Sequence, residues 1–141
     1  MSWLSTARLP RPHDPERLAV AWKRWSEAAD RPEDPAAVAL LDALFGNSPY
    51  LTETALQEPV FVTDLWRRGP DAVQSDIVAS LEHVRAEARD GTTPTTIAAG
   101  LRRLKRRAAL NIAVADIAGA WTLEQVTGAL SGLETSTGLL L

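Results

Sequence analysis

Apolar residues recur along this chain at helical spacing, and no stretch shows the alternation of a strand. Leu18, Trp22, Trp25 and Ala29 stand at i, i+4, i+7 and i+11, one stripe of a helix. Val38, Leu41, Leu44 and Phe45 form the next stripe, and Phe61, Leu65 and Trp66 a shorter one. Val73, Ile77, Leu81, Val84 and Ala88 mark a longer helix with charged residues on its other face. The boundaries are written in Asp-Pro and Ser-Pro pairs. Asp14-Pro15, Asp34-Pro35 and Ser48-Pro49 each supply a capping side chain and a proline at the first helical position. Gly46 is read as the C-cap of the second helix, Gly69-Pro70 as the stop of the fourth, and Thr95 or Thr96 as the cap of the sixth. The third is a short helix ending before Pro59, and connections of about 2–6 residues are expected. The pattern predicts an all-α fold, an irregular bundle of about seven helices with no sheet.

The longest pattern, Ile97 to Leu133, changes character halfway. Ile97, Leu101, Leu104 and Ala108 make a narrow stripe, while Arg102, Arg103, Lys105, Arg106 and Arg107 cover the rest of the circumference. From Ala109 to Ala120 only Asn111 and Asp116 interrupt Ala, Leu, Ile, Val and Gly, so this half is expected to be covered on at least two sides. Thr122 and Gln125 then form a T-x-x-Q capping box that opens a last helix along Leu123, Val126, Leu130 and Leu133. Residues 1–13 read as an extended arm whose Trp3 and Leu4 tuck onto the body. Residues 14–134 read as the helical domain. Residues 135–141 read as an irregular tail, Thr-Ser-Thr-Gly and three leucines, with the look of a truncation.

Composition narrows the function. With 141 residues the chain suits one domain. Its net charge of −3 argues against a dedicated nucleic-acid binder. It has no cysteine, hence no disulfide framework or thiolate chemistry. No apolar run is long enough to suggest a membrane span, and no secretory leader opens the chain, so a cytoplasmic setting is expected. No catalytic, cofactor-binding or metal-ligating residue is assigned. His13 and His83 stand alone, and no Gly-rich phosphate loop is present. Trp22 and Trp25, on an apolar stripe, are read as core.

The basic run is the open choice, either a solvated face paired to carboxylates or a surface for phosphate or an acidic partner. Five charges spread around a helix cannot all reach one partner. Arg103 and Arg107, one turn apart and beside Asn111, are the candidates for directed contacts. Asp116, if buried, requires a partner and reads as a structural lock.

Two segments carry a family resemblance. LRRLKRRAALNIAVADIAGAWTLEQVTGALSGLE, from Leu101, and FGNSPYLTETALQEPVFVTDLW, from Phe45 to Trp66, resemble the helical part of the bacterial glutamine synthetase adenylyltransferases. These enzymes add AMP to glutamine synthetase and remove it. The resemblance implies an N-terminal helical segment preceding a nucleotidyltransferase domain. For the intact protein it implies ATP and Mg²⁺ as cofactors, and glutamine synthetase and the PII signalling protein as partners. Catalysis in that family uses a Gly-rich turn followed by Ser-Asp-x-Asp on a strand, because paired carboxylates hold the metals that neutralise the transferring phosphate. No D-x-D occurs here. Gln74-Ser75-Asp76-Ile77-Val78 is the nearest approach; it lacks the glycines and the second acid, and it lies in a helical pattern. The expectation is a scaffold that is inactive alone and prone to self-association. A stand-alone helical interaction module is the alternative, and a helical nucleic-acid binder a third, disfavoured by charge.

Overall fold

The computed structural model describes residues 3–4 and 9–140, with side-chain surroundings to residue 132. The described residues form seven helices and no strand: α1 (Pro15–Ala28), α2 (Pro35–Asn47), α3 (Pro49–Gln57), α4 (Pro59–Arg68), α5 (Pro70–Arg89), α6 (Pro94–Ile117) and α7 (Leu123–Leu140). The all-α expectation holds.

Proline stands at the first position of each of the first six helices. Its fixed φ suits that position, where its missing N–H would have had no partner. It also disfavours a helical conformation at the preceding residue, so a helix can stop and restart across one residue. Ser48, Glu58 and Gly69 are such single-residue junctions, shorter than the connections expected from the sequence. Ser48 accepts from the Leu51 N–H through its hydroxyl, and its own N–H bonds the Leu44 carbonyl, so it ends α2 and begins α3. Gly46 is therefore not the C-cap; it lies inside α2, which runs on to Asn47. What requires glycine at position 46 is the arm: a Cβ there would lie 2.5 Å from Cβ of Pro12. His13 and Asp14 both donate to the Gly46 carbonyl, at 3.1 Å. Pro70 likewise begins α5 at the point where α4 stops, and the cap of α6 is Thr93 ahead of Pro94, not Thr95 or Thr96.

α1 packs on α2 and α3, α4 joins α3 to α5, and α6 is the hub, touching α3, α5 and α7. One continuous apolar core runs through all of them. At one end it is aromatic: Trp25 is 1% exposed, Phe45 fully buried, and Trp22 meets Phe45 edge-on at 5.3 Å. Both indoles of α1 also find acceptors, Trp22 on Asp42 and Trp25 on the Asp30 carbonyl. At the other end the core is aliphatic, built from Val73, Ile77 and Leu81 of α5 against Leu101, Leu104 and Leu110 of α6. The arm docks as expected: Leu4 is buried, and the Trp3 indole donates to the Trp66 carbonyl at 2.8 Å. Trp3 also lies against Gly69, whose φ of 89° is one that L side chains rarely adopt.

The T-x-x-Q box is present as a reciprocal pair. The Thr122 N–H donates to Gln125 Oε1 at 2.8 Å, and the Gln125 N–H to Thr122 Oγ1 at 3.1 Å. α7 continues to Leu140, so residues 135–140, read from sequence as irregular, are helical, and residue 141 lies outside the described residues. Glycine lowers helix propensity by only about 1 kcal/mol, and the segment has no proline to stop the helix.

Candidate functional site

The basic half of α6 is the most unusual chemistry in the chain, and the structure divides it. Arg106 and Arg107 turn toward the junction of α3 and α4, where both bind Glu58. Arg106 donates from Nη2 to Oε1 at 2.7 Å, and Arg107 from Nε to Oε2 at 2.9 Å. Glu58 is only 7% exposed. Burial pushes its carboxyl up, but the hydrogen bonds and charges of the two arginines outweigh that and hold it below the usual carboxylate range. Arg107 also stands over the Phe61 ring, 5.6 Å from its centroid. Three charged groups thus clamp α6 to the α3–α4 corner. Glu58 was not singled out by sequence because its partners lie 48 and 49 residues away. Its one local signal is its place before Pro59.

The remaining cations face outward. Arg102, Arg103 and Lys105 are exposed, and none has an ion pair among the described residues. Of the four residues singled out from sequence, Arg103 and Arg107 do come together, lining one shallow hollow with Ser80 and His83 of α5. Asn111 points the other way, into the protein. It is fully buried and donates to the Pro70 carbonyl at 3.1 Å and to Gln74 Oε1 at 3.2 Å, tying α6 to α5. Its own Oδ1 has no protein partner.

Asp116 is exposed, so it is not a buried lock. The apolar half of α6 is covered over part of its circumference, but not all round. Ala109, Ala113 and Asp116 form its outward stripe, half-buried or exposed, while Leu110, Ile112, Val114 and Ala115 are buried, and the helix stops at Ile117, short of Ala120. Alanine made a solvent-facing stripe look apolar.

Among the described residues no group of three or more His, Asp or Glu side chains could hold a metal ion. Asp76, in the segment nearest to a catalytic motif, is spent on Arg68, which also binds Asp64 at 2.9 Å, and Ser75 is exposed on α5.

Against known proteins, the sequence model for glutamate-ammonia ligase adenylyltransferase matches residues 38–137, from α2 into the last turns of α7. The chain belongs to this family. The bifunctional glutamine synthetase adenylyltransferase/adenylyl-removing enzyme of Rhodopseudomonas palustris is 35% identical over 136 residues, 88% of this chain but 13% of that protein. The proteins of the same name from Caulobacter vibrioides and Mycobacterium avium are 35% and 27% identical, over 77% and 94% of this chain and 10% and 14% of theirs. The chain thus spans about one eighth of the length of its relatives. No solved structure matches it.

The family match spans both segments that carry the resemblance in sequence. It also takes in the Glu58–Arg106–Arg107 clamp and Asn111, so the contacts that fix the path of α6 lie within the part shared with the family.

Proposed function

We propose that this chain is the helical scaffold of a bifunctional glutamine synthetase adenylyltransferase/adenylyl-removing enzyme, the part that supports a nucleotidyltransferase domain and carries no catalytic group itself. The observation that supports this is the pairing of the family match with an unfinished surface. Most of α7 lies within the matched region, yet Leu123 and Leu130 are 78% and 43% exposed. A helix packed on one side and apolar on another suits a piece that adjoins more protein. The absence of D-x-D from the sequence and the engagement of Asp76 by Arg68 are in keeping with a non-catalytic role.

In this reading ATP and Mg²⁺ act on the nucleotidyltransferase domain, glutamine synthetase is the protein substrate, and PII the regulator. Arg103 and Asp116, both exposed, face the adjoining parts, while Arg107 and Asn111 serve by fixing the path of α6. The setting is cytoplasmic, and no helix among the described residues is long and apolar enough to cross a membrane.

Three measurements test it. The purified chain alone should release no AMP from adenylylated glutamine synthetase, and it should bind a separately expressed nucleotidyltransferase fragment of a relative. Sedimentation at several concentrations should also reveal self-association when that fragment is absent. AMP release by the isolated chain, or a clean monomer that ignores the fragment, would overturn the reading. The second outcome would favour a self-contained interaction module.

A further inference from the structure

α3 and α7 both pack on α6, and between them lies a groove of about 630 Å³. Ala109 forms part of its floor, Tyr50 of α3 and Leu130 of α7 its walls, and Arg102, Lys105 and Arg106 line its basic end. Tyr50 and Leu130 are both exposed, at 63% and 43%, so an apolar slot stands open.

The charge around this slot is unbalanced. Among the described residues Glu53 is the one carboxylate that lines it, and both of its oxygens are taken by Arg24 across the α1–α3 contact. Arg106 is already shared with Glu58. Arg102 and Lys105 have no acidic partner among the described residues, and the spacing of three places them side by side on one helix face. The chain as a whole is acidic, at −3, so this end of the groove opposes the charge of the rest. A positive patch beside an apolar slot selects ligands of opposite charge and suppresses others.

We propose that the α3/α6/α7 groove is a docking site for an acidic peptide segment of another protein. Carboxylates about one helical turn apart would meet Arg102 and Lys105, and a large apolar side chain would enter between Tyr50 and Leu130. A peptide fits better than a nucleic acid. A continuous phosphate backbone needs a run of cations along its path, and this groove offers an unpaired pair at one end, whereas a short segment need carry charge at one end only. The inference goes beyond the scaffold role and concerns the chain with this slot uncovered, since a domain seated on Leu130 would compete for the same wall.

The test is selection from a random twelve-residue peptide display library on the full chain, with counter-selection on a variant carrying Arg102→Glu and Lys105→Glu. Both side chains are exposed, and an unchanged circular dichroism melt confirms that the variant folds. Enriched peptides should carry Asp or Glu one turn apart next to Leu, Phe or Trp. They should lose at least tenfold in affinity on the double variant, and several-fold on Tyr50→Ala. A control with the same change of charge away from the groove, Lys23→Glu with Arg89→Glu, should bind them as the parent does.

Selection that yields no peptide, or peptides without carboxylates, overturns the proposal. So does an equal loss on the control variant, which would mean unspecific attraction. Displacement of the selected peptide by an oligonucleotide at matched charge and lower concentration would mark the face as a phosphate surface instead.

Discussion

Two helices of similar make-up meet opposite fates in this bundle. Both are rich in leucine, α2 with three in thirteen residues and α7 with five in eighteen. α2 lies between α1, α3 and the arm, and buries seven of its thirteen residues. α7 packs on α6, buries Val126 and part-buries Ala129, and leaves Leu123 and Leu130 open. Composition gives a helix its capacity for burial, and neighbours decide how much of it is used. In α2 that capacity is exhausted within the chain. In α7 some is left over, and under the proposed function the remainder meets the rest of the enzyme.

The strongest way to break this contrast is to attack the surface on which α7 rests. Ile112 is 3% exposed on the apolar half of α6, and Ile112→Asp would bury a charge with no partner. The expected cost is about 4–5 kcal/mol, enough to unfold much of the population of a marginally stable domain, as read by urea denaturation. A melt within a degree or two of the parent would mean that this face is open. Phe45→Ala in α2 comes next. It removes the ring that Trp22 and Trp25 pack against and should cost about 3–5 kcal/mol.

Glu58→Gln tests the clamp that both halves share. It should cost about 1–2 kcal/mol, less than a fully buried pair because both arginines are more than a third exposed at their side chains. The carboxyl is held below its ordinary value in the folded state, so its contribution is complete above the unfolded pKa of about 4.3 and fades as pH falls through the lower folded value. The gap between parent and variant should therefore be flat from pH 6 to 8 and shrink in acid. A gap that widened in acid would contradict the clamp. The smallest effect is expected at α7 itself. Leu123→Ala and Leu130→Ala should each stay within about 0.5 kcal/mol in the isolated chain, and losses near those of Phe45→Ala would erase the contrast.

Much of the fold was legible because the chain punctuates itself. Pro at the first position after Asp, Ser or Thr is a local signal, and each of the first six helices begins at a proline. The misreadings have one cause, the use of local pattern for tertiary facts. Gly46 looks like a helix end because glycine often is, yet its role is to let Pro12 approach. Asp116 looked enclosed because its neighbours along the outward stripe are alanines. The 135–140 segment looked broken because three small polar residues and a glycine stand together, though none of them forbids a helix. The candidate site was half legible. Arg107 and Asn111 were found, but as residues for outside contacts when their hydrogen bonds are internal. Glu58, the group that organises the basic run, is distant in sequence and carries no motif. The groove was not visible at all, since it needs three helices to exist.

The tryptophans give this bundle a set of built-in clocks. Four indole N–H groups are each fastened at a different place: Trp3 to the Trp66 carbonyl, Trp22 to Asp42, Trp25 to the Asp30 carbonyl, and Trp121 to Asp71 at 2.7 Å. An indole proton held in this way exchanges more slowly with deuterated solvent, least so at Trp121, whose bond to Asp71 is exposed. The four report in turn on the arm, the α1–α2 contact, the loop after α1 and the link between the α6–α7 corner and α5. A partner that covers the α6–α7 corner should slow the Trp121 clock before any other.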